Sequence, residues 1–233
     1  MTTTAPSPGE QLPWHTDPYE QALRTGRGPL FLRRADGWLL PLDVERWCAR
    51  ADAADRSVLG RCTGSVLDIG CGPGRMVAAL SGAGGRALGI DSAPAAVRHT
   101  RRLGGSALCR SVFEPLPDEG RWDRALLLDG NVGIGGDPQA LLRRVGTLLA
   151  PGGLLLAEAA AAEVEEFIEV RLDDGTGPRG PAFPWARFGP SALRRRAGAA
   201  GWRVVEEWTC AERRFLTLRP AIPPSARPGP ESR

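Results

Sequence analysis

Apolar and polar positions along the chain fall into two alternating rhythms. Short, nearly continuous apolar runs recur at 66–69, 86–90, 107–112, 125–128 and 154–157. Between them apolar residues return at helical spacing: first Met76, Val77 and Leu80, later Leu141, Leu142, Val145, Leu148 and Leu149 in one stripe. Such runs predict strands buried on both faces, and the stripes predict the helices that cover them. The pattern therefore reads as a parallel sheet in an α/β fold. Turn chemistry agrees. Ser92 ahead of Pro94 is an expected helix cap, Asp137-Pro138 opens the longest stripe, and Pro151-Gly152-Gly153 closes it. The rhythm changes near the C-terminus, where a helix expected from Ser191 to Gly201 leads into runs at 202–206 and 215–218. Their short link predicts an antiparallel pair.

Ahead of the first strand, residues 14–64 predict a helical lead. A short helix from Asp17-Pro18-Tyr19 ends near Leu23, a second is capped by Asp43, and a third runs from Asp52 to Gly64. Phe31, Trp38, Leu39 and Leu40 form an apolar group between the first two, too short to be a domain. Residues 1–13 and 220–233 are rich in Pro, Ser and Thr or in Pro alone, and predict disordered tails. The main domain is thus expected over 65–219. Inside it, 159–190 is too long for a plain connection. It carries Glu163, Glu165 and Glu166, an expected strand pair around 164–172, and the Gly/Pro-rich run DDGTGPRGPAFPWARFGP. This insertion is expected to act as a substrate lid, with Trp185 as its substrate contact.

Composition narrows the classes. A chain of 233 residues has room for one proper core. No apolar run approaches the ~20 residues of a membrane span, and MTTTAPSPGE has no basic-then-apolar secretory pattern. The five cysteines are scattered without a CxxC pair, which predicts a cytoplasmic setting with neither a disulfide framework nor a metal site. A net charge of +3 is too small for a nucleic-acid footprint. All 30 basic residues are arginine, so lysine Schiff-base chemistry is excluded.

The most specific stretch is Ser65–Leu80, SVLDIGCGPGRMVAAL. An apolar run ends in Gly70, Gly72 and Gly74, and a helical pattern starts at once. That arrangement predicts a strand, a tight turn and a helix N-terminus offering bare backbone amides to a ligand. Arg75 leaves the GxGxxG dinucleotide fingerprint incomplete, and GxxxxGK[ST] is absent. With Asp68 two residues before the first glycine and Pro73 in the turn, Asp68–Gly74 resembles the first motif of the class I S-adenosylmethionine-dependent methyltransferases. The resemblance spans about Leu59–Leu218. It implies a Rossmann-like, doubly wound, mostly parallel seven-stranded sheet in three α/β/α layers, with a C-terminal antiparallel hairpin. S-adenosylmethionine is the implied cofactor and a bacterial, cytoplasmic enzyme the implied setting.

The same resemblance implies a site. Asp68 would serve the methionine end of the cofactor, and Gly70, Cys71, Gly72 and Gly74 would cradle it by backbone. Asp91 would accept the ribose hydroxyls, with the adjoining Ser92 also counted among the cofactor-binding residues and offering the helix cap. Ser111 and Val112 would read adenine at the end of strand three. Asp129, Gly130 and Asn131 would lie over the methionine end. Residues 132–136 (VGIGG) lack the aromatic or histidine-rich stretch of many relatives, so no acceptor-side base is obvious; Asp129 and His15 are the candidates. His99 reads as a surface residue. The expected partner is a small-molecule acceptor methylated at O, N or C, with no nucleic acid and no membrane. Two alternatives compete: a non-catalytic S-adenosylmethionine-binding module, and an NAD(P)-dependent oxidoreductase.

Overall fold

The computed structural model describes residue 14 and residues 16–221. His15 and the expected tails, apart from Pro220 and Ala221, lie outside the described residues. The lead opens with α1 (Asp17–Thr25), which has Pro18 in its first turn. The unassigned apolar group then forms a hairpin, β1 (Phe31–Arg33) and β2 (Leu39–Pro41). Next come α2 (Val44–Cys48) and α3 (Ala53–Leu59), both capped as expected. Asp43 accepts from the Arg46 N–H, and Asp52 and Asp55 exchange side-chain-to-backbone bonds in a capping box. The α3 helix stops at Leu59 and does not reach Gly64.

The domain proper follows the alternation of the sequence: β3 (Ser65–Ile69), α4 (Arg75–Gly82), β4 (Arg86–Asp91), α5 (Pro94–Arg102), β5 (Ala107–Cys109), β6 (Trp122–Leu127), α6 (Pro138–Leu148) and β7 (Leu149–Ala159). Two further strands, β8 (Glu165–Asp173) and β9 (Pro178–Phe188), precede α7 (Pro190–Ala199), β10 (Trp202–Cys210) and β11 (Arg213–Pro220). Seven strands pair in the order β10-β11-β7-β6-β3-β4-β5, and only β11 runs against its neighbours. Strand residues alternate between faces with period two. Leu67, Ala125, Leu127, Leu155 and Leu216 join the core under α6 and α7. Val66, Leu126, Leu156 and Phe215 join the core under α3 and α4. The layers are therefore α/β/α.

A second sheet was not legible as such. Its four strands lie in the order β2-β1-β8-β9, so the lead and the 159–190 insertion share one sheet. The register sets Phe31 opposite Asp173 and Arg33 opposite Arg171. The run read as a Gly/Pro-rich loop is largely β9. Proline is tolerated there because β9 is an edge strand, bonded only to β8. This sheet buries Leu32, Val170, Leu172, Phe183 and Trp185 against Tyr19, Ala22 and Leu23 of α1 and against Ala93 and Ala96 at the start of α5. Among the described residues, no helix is long and apolar enough to cross a membrane.

Candidate active site

The chain goes outward from β3 to β4 and β5, then returns to place β6 on the other side of β3. This reversal opens a crevice at the carboxyl ends of β3 and β6, where open α/β sheets bind ligands. Residues from β3, β4, β6 and β7 converge on it.

The loop after β3 is tied down almost throughout. The N–H groups of Gly70 and Cys71 both donate to Ile90 O, and Gly74 N–H donates to Cys71 O. Gly72 N–H donates to Asp91 Oδ2 at 2.9 Å, and Gly72 O accepts from Thr100 Oγ1. The expectation of bare loop amides is therefore corrected: these four are satisfied within the protein. The three glycines also have different reasons to be glycine. A Cβ on Gly70 would lie 2.6 Å from Asn131 Nδ2, and one on Gly74 would lie 2.4 Å from Thr100 Oγ1. At Gly72 a Cβ would meet only Tyr19 Oη, at 3.9 Å. Gly70 and Gly74 are closed by packing; Gly72 is the open one.

Asp91 holds two elements at once. Besides Gly72, it accepts from Ala93 N–H through Oδ1 at 2.8 Å. Ser92 is thus not the cap of α5. The capping position is Ala93, which has no side-chain oxygen, and Asp91 provides the nearby acceptor. Ser111 and Val112 lie beyond the end of β5 at Cys109, not in a strand. Ser111 Oγ accepts from Phe113 N–H in a turn, while Val112 is buried in the α6/α7 core. Cys71 is buried, and burial foremost, with the charges of Asp91 and Asp68, pushes its thiol well up.

At the end of β6 the backbone turns through Asp129 and Gly130, both with positive φ (55° and 86°). Asn131 then reaches back, its Nδ2 donating to Ile69 O at 3.0 Å and Gly70 O at 2.9 Å. That amide nitrogen holds the loop. A Cβ on Gly133 would fall 2.8 Å from the Trp185 ring and 2.2 Å from Ala186 O, so β9 lies directly on this turn. Trp185 itself is buried in an aromatic group, 5.8 Å from Trp14 and 6.2 Å from Phe183 between ring centroids.

A buried ion network, absent from the sequence reading, underlies the crevice. Arg75 binds Asp55 through two bonds, of 2.8 and 3.0 Å, and Asp129 at 2.7 Å. Arg213 grips Glu158 through two bonds, of 2.8 and 2.7 Å, and Asp55 at 2.8 Å. Arg46 of α2 reaches Asp129 Oδ1 at 2.6 Å. Burial alone would raise the Asp129 carboxyl, but the guanidinium groups of Arg75, Arg46 and Arg213 outweigh it and hold the pKa below the ordinary value. Only the capping pattern of Asp52 and Asp55 hinted at this network from the sequence. Asp68 stands apart. It is 4% exposed, and its carboxylate joins none of the ion pairs among the described residues. Burial pushes its pKa up to about 7; Arg75 opposes the rise, and Asp129, Asp91 and Asp55 add to it.

Comparison with known proteins decides the family. The profile of the methyltransferase domain family matches residues 44–207. The chain belongs to this family, in its class I S-adenosylmethionine-dependent form. A crystal structure of an S-adenosylmethionine-dependent methyltransferase from Bacteroides fragilis, in complex with S-adenosyl-L-homocysteine, has a TM-score of 0.75 at 22% identity, over 91% of this chain and 98% of that one. A Burkholderia thailandensis 1,6-didemethyltoxoflavin-N1-methyltransferase gives 0.54 at 21% identity, over 72% and 75%. The ubiquinone biosynthesis O-methyltransferase of Azorhizobium caulinodans is 30% identical over 152 residues, 60% of this chain. The chain spans about three-fifths of that relative's length (59%).

S-adenosylmethionine is the cofactor of this methyltransferase domain, and the residues present fit it. The ligand carries positive charge, and Asp68 is a buried carboxylate without a cationic partner of its own. Gly72 leaves room where a side chain would intrude. A carboxylate has about four lone-pair sites, more than the N–H groups of Gly72 and Ala93 occupy at Asp91.

Proposed function

We propose that this methyltransferase domain transfers a methyl group from S-adenosylmethionine to a small-molecule acceptor. The observation that carries the reading is the buried, unpaired Asp68 beside the one open glycine of the loop. When bound, the cofactor supplies an electrophilic methyl group on a positively charged sulfur. Asp68 attracts that charge, Asp91 accepts from the ribose hydroxyls, and the tied loop holds both in place before the ligand arrives. Gly130 and the neighbouring turn form the floor of the methionine end. Trp185, seated on that turn, walls the acceptor side and excludes water.

Asp129 serves as an anchor for three arginines, and its depressed pKa makes it a poor proton acceptor. His99 is no better placed, since its Nδ1 faces Pro73 O at 2.9 Å. With Asp129 and His99 so engaged and His15 outside the described residues, we read the acceptor as one that arrives already nucleophilic, such as an uncharged amine or an acidic hydroxyl. The Burkholderia and Azorhizobium relatives, one named for an N1 position and one as an O-methyltransferase, support a small molecule without choosing the atom. The nicotinamide alternative is set aside by the family match.

Calorimetry with S-adenosylhomocysteine and with NAD(P), followed by methyl transfer to a panel of amines and phenols, tests the reading. Binding of the adenosyl ligand and turnover with a panel member are expected. Binding without turnover on that panel or on RNA and DNA would favour the non-catalytic module. Turnover on RNA or DNA alone would overturn the small-molecule assignment.

A further inference from the structure

Tyr19 is the only tyrosine of the chain, and it belongs to α1 in the lead, not to the cofactor motifs. It is 4% exposed, with its ring edge-on to Trp14 at 5.1 Å between centroids. The hydroxyl points away from that aromatic group, toward the one open position of the loop, 3.9 Å from where a Cβ of Gly72 would be. Burial foremost, then the charges of Asp91, Cys71 and Cys48, push the phenol well above its ordinary pKa, so it keeps its proton. It is a donor, and among the described residues it donates to no acceptor. Placed there, it can donate to a ligand that lies over Gly72.

We propose that Tyr19 is a cofactor-contacting residue whose hydroxyl donates a hydrogen bond to an oxygen of the adenosyl ligand lying over Gly72. This rests on the cofactor reading given above. The acceptor is either a ribose oxygen or the methionine carboxylate; both are oxygen acceptors, and the experiment separates them. The contact makes the lead part of the binding site. It gives α1, packed on α5 through Ala93 and Ala96, a direct hold on the ligand.

Because the tyrosine is unique, 3-fluorotyrosine labelling of the full chain gives one fluorine resonance to follow. Titration with S-adenosylhomocysteine is expected to move it. By calorimetry, Tyr19→Phe is expected to bind that ligand about 3- to 10-fold more weakly, with an unchanged thermal melt. 5′-Methylthioadenosine, which lacks the amino-acid end, keeps the penalty if the ribose is the acceptor and loses it if the carboxylate is. Wild-type affinity in Tyr19→Phe, or a stationary resonance while the ligand binds, overturns the proposal and leaves the cofactor reading intact. Failure of the unmodified chain to bind S-adenosylhomocysteine would instead sink the cofactor reading itself.

Discussion

Asp68 lies close to more charge than it shares. Its pKa of about 7 in the folded chain, against an ordinary value of 3.8, fixes the sign of a pH effect. Between those two values the folded state keeps a proton that the unfolded state has shed, so stability falls as pH rises through that window. Asp68→Asn is expected to lack this slope and to gain on the ligand-free wild type by a few kcal/mol, in order of magnitude, at pH 8. Urea unfolding at pH 5 and pH 8 measures it; parallel behaviour of the two proteins would remove Asp68 as the cause. A cationic ligand acts in the opposite direction, so binding of S-adenosylmethionine, with its sulfonium charge, at pH 6 should release a proton, visible as buffer-dependent heat, and binding of the uncharged-sulfur S-adenosylhomocysteine should release less. The importance of Asp68 was legible from its place before the glycines. Its isolation was not, because that depends on Arg75 and Arg213 taking Asp129 and Asp55 as partners from distant parts of the chain.

At the scale of the element, the loop after β3 separates packing from function. Gly70→Ala would force an L-residue to φ +70° and push its Cβ to 2.6 Å from Asn131 Nδ2. The expected cost is roughly 2–4 kcal/mol of stability, from left-handed strain plus loss of the Asn131 bonds to Ile69 and Gly70. Gly72→Ala meets no such clash and carries only the left-handed strain of an L-residue at φ +54°. It should melt within a few degrees of wild type yet bind S-adenosylhomocysteine more weakly, by about tenfold or more. Melting curves paired with calorimetry decide, and equal effects on both measures in both variants would refute the distinction. An added Asn131→Ala should recover part of the Gly70→Ala loss, since the two side chains compete for one space. Elements with strong periodicity were readable: β3, α6 and the final hairpin fell close to where their patterns placed them, although Leu149 and Pro151-Gly152-Gly153, read as the end of α6, belong to β7. β9 was not, because Pro178, Pro181 and Pro184 signal a loop unless the strand is known to be an edge.

Across the whole molecule, charge joins what the sequence keeps apart. Arg75 and Arg213, from the start of α4 and the last strand, meet at Asp55, which is fully buried. Burial would raise the Asp55 carboxyl, but the two arginines hold it far below the ordinary range. Arg75→Met, which removes one of the three cations at Asp129 and two of the three arginine bonds to Asp55, is expected to cost about 3–5 kcal/mol at pH 7. The sign follows from the depressed pKa: the stability is present above the ordinary carboxylate range and is lost as pH falls below it, so the gap to wild type should close in acid. Urea midpoints at pH 7 and below pH 4 would show this, and a gap constant with pH would mean the loss is packing alone. The strands of the parallel sheet were legible because buried parallel strands betray themselves as apolar runs, although no run carries their order in the sheet. The second sheet was not, since β1 is only three residues long and finds β8 about 140 residues later, with Arg33 and Asp173 paired at 2.9 Å. That distance along the chain imposes an order in time. A nascent chain leaving the ribosome exposes Leu32 and its hairpin long before β8 exists to cover them, and Asp55 is made well before Arg213. The buried ion network under the crevice is thus among the last parts to be assembled, and a truncated product ending before β11 carries the Asp68–Gly74 stretch while Asp55 and Glu158 lack Arg213.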